Sequence, residues 1–256
     1  MNKSIRIALL SFNHCIAAML LAAIAFSCRT AEVSVHNDLK TGAEVYTVKG
    51  RQGFQVGQVL SFGDFKTSKV NRGWTFGYSI PFIVSFQGAS EKLSFRQLDQ
   101  HGGQAEVVLV SKFRETELAV AKDYFSVSLH YKNYFAGAIK LDHAESSWDF
   151  IVYNADGAGR GFGNRETSGF VRNGRTRIDI RAINSLEGSS EILTYNSVYG
   201  YEFTQGGKVI AAVSTINNGK VWMKEGLDAE TRLVLAGICS GLMLRNQVED
   251  QALSLQ

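Results

Sequence analysis

The sequence predicts a mainly β protein, an antiparallel barrel of two related halves closed around a buried C-terminal helix. Three observations carry that expectation. The 256 residues include one proline, 25 glycines, 16 phenylalanines and 9 tyrosines. Their apolar residues alternate, or fall in short runs bounded by Gly, Asn and Asp, which is the signature of strands and tight turns. One segment near the C-terminus is apolar on nearly every face, and a motif of the first half returns one hundred residues later.

Taken in order, the alternation predicts strands at 44–49, 82–86, 105–113, 124–131, 135–141, 148–153, 175–183, 192–195, 198–204, 208–216 and 220–224. Gly206-Gly207 and Asn217-Asn218-Gly219 separate the last three. Both are tight-hairpin sequences, because primed turns need the positive φ that Gly and Asn tolerate. The stretch 198–224 therefore reads as a three-stranded meander.

The recurring motif pairs Gly57, Phe62, Gly63, Thr67, Ser68 and Arg72 with Gly157, Phe162, Gly163, Thr167, Ser168 and Arg172. Read as a duplication, it divides one domain, 41–256, into halves 41–140 and 141–226, neither of which buries its apolar face alone. Coincidence in a Gly- and Phe-rich chain is the alternative. No Pro-, Ser- or charge-rich linker separates the halves, which favours one merged domain.

A core helix is expected over 228–245. Asp228 can cap it, and Glu230 stands in the first turn, where the helix dipole favours an acid. From Leu233 to Leu244 only Gly237, Ser240 and Gly241 interrupt the apolar run. A helix apolar all round must be buried all round, yet twelve residues are too few to span a bilayer. Threading it through a closed sheet solves both problems, and Cys239 within it reads as a small buried hydrophobe.

Leu227-Asp228, the run 233–239 and Leu242-Met243 resemble the closing helix of the tubby-like group, which includes phospholipid scramblases and LURP-one-related proteins. That resemblance implies a twelve-stranded antiparallel barrel around a C-terminal apolar helix. The Asp-rich calcium element of scramblases is not visible, and no basic motif transfers the phosphoinositide site of tubby proteins. A lipocalin-like barrel competes, with Gly73-Trp74 as its faint echo, but its helix packs outside and needs a polar face.

The N-terminus carries a different message. Lys3 and Arg6 precede an apolar stretch that is clean over 16–26 and ends at Ser27-Cys28, as in a secretory signal. It resembles a bacterial lipoprotein signal, although Ala25 and Phe26 depart from the usual box. The resemblance implies a signal peptide at 1–27, an acylated (palmitate-bearing) Cys28 and a tether over 28–40. Arg29, where Asp would favour inner-membrane retention, leans toward the outer membrane of a Gram-negative bacterium. A transmembrane helix over 7–26 and ordinary cleavage after Ala25 are the alternatives.

Loss of Lys3 and Arg6 with the signal lowers the 27 basic residues to 25, against 24 acids. That near-neutral balance argues against a nucleic-acid partner. Cys15 leaves with the signal, so Cys239 stands alone, without a disulfide framework or a paired-cysteine zinc site. No cofactor or metal is expected.

The strongest ligand candidate is Arg175, Arg177 and Arg181, with Arg172 nearby. Alternation places 175, 177, 179 and 181 on one strand face, and the guanidinium fork suits phosphate or carboxylate. A solvated face with Asp179 bridging arginines is the plainer alternative. The run from Gly157 to Gly163 lacks the following helix of a dinucleotide fingerprint and reads as a turn. His36, His101, His130 and His143 show no metal-ligand spacing, and Asp142-His143 and Trp148-Asp149 read as surface pairs. The functional expectation is a lipid-anchored cell-envelope protein with a binding or structural role toward anionic lipid or glycan, and no catalysis. The alternative is an envelope hydrolase acting on lipid or glycan.

Overall fold

The computed structural model describes residues 30–52, 56–72, 91–111, 134–144, 147–153, 169–189 and 198–254. The signal, Cys28, the Gly157 to Gly163 run, His130 and the strands expected at 82–86, 124–131 and 192–195 lie outside them.

The described strands are β1 (Ala43–Thr47), β2 (Ser61–Phe62), β3 (Phe65–Thr67), β4 (Asn71–Arg72), β5 (Glu91–Asp99), β6 (Gln104–Ser111) and β7 (Tyr134–Leu141). They continue with β8 (Trp148–Tyr153), β9 (Gly169–Arg172), β10 (Arg177–Ile183), β11 (Gly200–Gln205), β12 (Lys208–Ser214) and β13 (Lys220–Lys224). Helices α1 (Asn37–Gly42) and α2 (Ala229–Ser254) complete the set. From β5 to β13 every strand pairs antiparallel with the next, and β13 returns to β1. β3 and β4 both pair with β5, Thr67 opposite Gln97 and Asn71 opposite Ser94, so they are one strand broken by a bulge. Below β1, Lys49 and Ser61 exchange backbone hydrogen bonds of 2.9 and 3.1 Å. That seam brings twelve strands round into a nearly closed up-and-down barrel.

Alternation keeps one set of side chains inside all the way round. Leu93, Phe95, Val107, Leu109, Ile139, Phe150, Val171, Ile178, Ile180, Phe203, Val213, Val221 and Met223 all join one buried core with α2. Eight strands already leave just enough interior for side chains; twelve leave an axial channel, and α2 fills it. Leu235, Ile238, Cys239, Leu242 and Leu244 are fully buried, each large side chain worth about 1.5–3 kcal/mol. A β-carbon on Gly241 would come 2.5 Å from Leu109, and one on Gly237 3.0 Å from Val107. The helix glycines thus let it approach β6.

The expected helix start holds: Thr231 donates its N–H (2.9 Å) and hydroxyl (2.7 Å) to the Asp228 carboxylate. Its end lies beyond the expected 245. The meander over 198–224 is found as β11–β13, with Gly206 and Gly207 at φ 56° and 80°, as a primed turn requires.

Residues from Glu32 onward belong to the folded body, which shortens the expected 28–40 tether. Val33 bridges Leu186, and Val33, Val35 and Leu39 pack with Ile183, Ala212 and Trp222 in a second core outside the wall. Of the residues matched by the repeat, only Arg72 and Arg172 are both described. Arg72 faces inward beside Leu93, and Arg172 faces outward beside Asp149.

Call the end where α2 begins the upper rim. There Leu233 lies near Gly103, and Trp148 Nε1 donates to Glu230 at 2.8 Å. At the lower rim Met243 approaches Gly219. The upper connections from β5 to β12 are short turns. The stretches 73–90, 112–133, 154–168 and 184–199 all join strand ends at the lower rim.

Candidate functional site

The hairpin of β9 and β10 positions the basic residues singled out by the sequence. Asn173 Oδ1 accepts the N–H groups of Arg175 (3.2 Å) and Thr176 (2.9 Å), and Gly174 takes φ 81°. This turn draws Arg175 out of the strand, which begins at Arg177 instead of 175 as expected. Ile178 and Ile180 then point inward, leaving Arg177, Asp179 and Arg181 outside.

Register brings Arg172 opposite Arg177 and Phe170 opposite Asp179. The Arg177 guanidinium carbon sits 4.2 Å from the Phe170 ring centroid, and that of Arg172 5.4 Å. Two cations therefore flank one buried aromatic face, an arrangement favoured by the ring quadrupole. Asp179 takes a 2.9 Å ion pair from Arg177 Nε, and Asp149 stands opposite Arg172. Arg181 lies four residues farther down, opposite Glu202, roughly 13 Å from Arg177 at strand rise. The structure unites Arg172 and Arg177, and separates Arg175 and Arg181 from them. More than half of the Arg177 side chain is exposed, so its fork can still meet an anion.

The remaining sequence candidates disperse. His101 Nε2 is 3.7 Å from Asp64 Oδ2 at the exposed upper rim, and His143 lies exposed in the β7–β8 turn. His36 Nδ1 accepts the Asp38 N–H at the start of α1. Trp148 faces inward and Asp149 outward, so they form no pair. Among the described residues no three His, Cys, Asp or Glu side chains could share a metal, and no helix is long and apolar enough to cross a membrane. Burial pushes the Cys239 thiol well above its ordinary pKa, consistent with an inert core residue.

Two polar clusters escaped the sequence reading. At the upper rim Arg232 of α2 donates to Glu44 Oε2 (2.8 Å) and to the Tyr46 hydroxyl (3.0 Å), which itself donates to Glu44 Oε2 (2.6 Å). Hydrogen bonds from Tyr46 and Arg232 hold the Glu44 carboxyl below its usual pKa, while partial burial and Glu44 push Tyr46 up. At the lower rim the buried Arg51 donates to the Thr215 (2.6 Å), Asn217 (2.7 Å) and Met243 (3.4 Å) carbonyls. Gln58 donates to the Arg51 carbonyl at 2.7 Å and accepts from Arg72 at 3.1 Å. These pairings span more than 160 residues for Arg51, so no local spacing could reveal them. Both clusters tie the helix to the barrel and serve the architecture.

The geometry defines a class: an up-and-down barrel closed on its own C-terminal helix, with a basic–aromatic patch on its outer wall. Comparison with protein-family models, curated proteins and solved structures finds no match to this chain.

Proposed function

We propose that this is a non-enzymatic, lipid-anchored cell-envelope protein, held by an acylated Cys28 at the outer membrane of a Gram-negative bacterium. In this reading its barrel wall binds an anionic lipid headgroup or glycan. The observation that carries the binding role is the pair Arg172 and Arg177, opposite each other on β9 and β10 and both within cation–π reach of Phe170. A ring that holds two guanidinium groups near it spares part of the entropy of ordering them, and the fork suits phosphate and carboxylate alike. A helix along the barrel axis argues against a carrier that holds its cargo inside. Kinship with the tubby-like group draws support from the same helix.

Residues 29–256, exported without the cysteine, are the material for the test, since Glu32 onward forms the compact body. Phosphatidylglycerol vesicles and heparin serve as lipid and glycan probes, with phosphatidylcholine vesicles as control. Arg172→Glu with Arg177→Glu is expected to weaken binding to one anionic probe at least tenfold. Unchanged binding, or none by the parent protein, would refute the site. For the anchor, a clickable fatty acid should label the full chain in cells, and Cys28→Ala should remove the label.

A further inference from the structure

We infer that the wall site selects a ligand whose charges alternate: an anion, a primary ammonium a few bonds away, and a second anion beyond it. The inference rests on the site proposed above and names the kind of headgroup or glycan it takes. A phosphoserine headgroup carries that sequence as phosphate, ammonium and carboxylate. An amino sugar flanked by sulfate and carboxylate carries it too.

The sign pattern along β10 is the reason. Arg177, Asp179 and Arg181 share the outer face, each roughly 7 Å from the next at strand rise. The Arg177 and Asp179 side chains are 55 % and 42 % exposed, and Arg181 is exposed as well. Arg177 gives only its Nε to Asp179 Oδ1, at 2.9 Å, while the Phe170 ring holds its guanidinium carbon at 4.2 Å. Its two Nη groups and Asp179 Oδ2 have no hydrogen-bond partner among the described residues. Arg181 has no ion-pair partner among them either. Glu202 stands opposite it, with Oε1 accepting the His36 N–H at 2.6 Å.

These groups ask for different partners. A guanidinium takes the oxygens of phosphate, sulfate or carboxylate, whereas an ionised carboxylate only accepts, and so takes an N–H donor. A plain anion that reached both arginines would lay its charge over Asp179, and like charges brought together across an interface repel. An ammonium between the two anions turns that repulsion into attraction. Asp179 is then the element that rejects wrong ligands, as well as part of the grip on the right one.

The test presents residues 29–256 with two matched pairs of probes at constant ionic strength. Phosphatidylserine and phosphatidylglycerol vesicles carry the same net charge per lipid, and only the serine headgroup adds an ammonium and a carboxylate. N-desulfated heparin and its N-acetylated form differ in the ammonium, and the acetylated form is the more negative. A patch that attracts negative charge alone treats the lipids alike and prefers the acetylated glycan. The parent protein is expected to bind the ammonium-bearing member at least threefold more tightly in one pair, which identifies lipid or glycan as the source. Asp179→Asn, at a half-exposed position, should cancel that preference while leaving the other member bound as well or better. Arg181→Gln should weaken the preferred member. No preference in either pair, in protein whose anion binding falls with Arg172→Glu and Arg177→Glu, would overturn the alternating ligand and leave the wall site standing. A preference that survives Asp179→Asn, or is indifferent to Arg181→Gln, would overturn it too. Binding unchanged by Arg172→Glu and Arg177→Glu would overturn both the ligand and the site.

Discussion

At the scale of single residues, the barrel interior holds one polar contact whose energetics can be read directly. Ser240 of α2 donates its hydroxyl to Gln97 Oε1 at 2.9 Å, and both residues are completely buried. Gln97 Nε2 has no hydrogen-bond partner among the described residues. Removing one member of such a pair leaves a buried polar group stranded, whereas removing both can be nearly neutral. Ser240→Ala is therefore expected to cost about 1–3 kcal/mol in urea unfolding, and Ser240→Ala combined with Gln97→Leu to recover most of it. An additive double variant would contradict the coupling. Gly137 makes a second case. A β-carbon there would collide with the Val108 carbonyl oxygen and lie 2.8 Å from the Phe150 ring, so Gly137→Ala should destabilise by about 1–3 kcal/mol through overpacking. Glu44 gives the pH dependence. Its folded pKa lies below the ordinary 4.5, so its contribution is full above that value and is lost as pH falls through the lowered one. Partial exposure limits it to no more than about 1 kcal/mol. Glu44→Gln should lower the melting temperature at pH 7 slightly and flatten its decline between pH 5 and 3.

Elements differ in how much of themselves the sequence reveals. β8 and β13 coincide with their expected ranges and β7 begins one residue early, because clean apolar alternation between turns is unambiguous there. β5 went unnoticed. Its alternation of Leu93 and Phe95 continues inward through Gln97, a polar residue made tolerable by a helix serine 143 positions away. β9 is four residues with a leading glycine, and the β2–β3 hairpin turns at Gly63 with φ 51°, lengths too short for periodicity to speak. The basic strip was legible as alternation along β10, but its aromatic centre was not. Phe170 sits on the neighbouring strand, and register between strands is a tertiary property. The helix, by contrast, announced its burial in its composition. Leu235→Asp should abolish folding, since it sinks a charge into the apolar interior; a normal melting curve for that variant would refute the placement. Asp228→Ala should cost roughly 1 kcal/mol as a lost cap.

For the molecule as a whole, the barrel and its plug depend on each other. Twelve strands enclose too wide a channel to be filled by their own side chains, and an all-apolar helix has no stable place in water. The strands pair from neighbour to neighbour, and the last gap is spanned by the Lys49–Ser61 bridge. Arg51 and Arg232 fasten the helix to opposite rims. Among the described residues, short turns join the strands from β5 to β12 at the upper rim. Native-state hydrogen exchange tests the mutual dependence most directly. Amides from Leu233 to Leu244 are expected to exchange only through global unfolding, with the same free energy and denaturant dependence as Val107 and Leu109 of β6. Helix amides that exchange faster, through an opening of their own while β6 stays protected, would contradict a helix enclosed by the barrel.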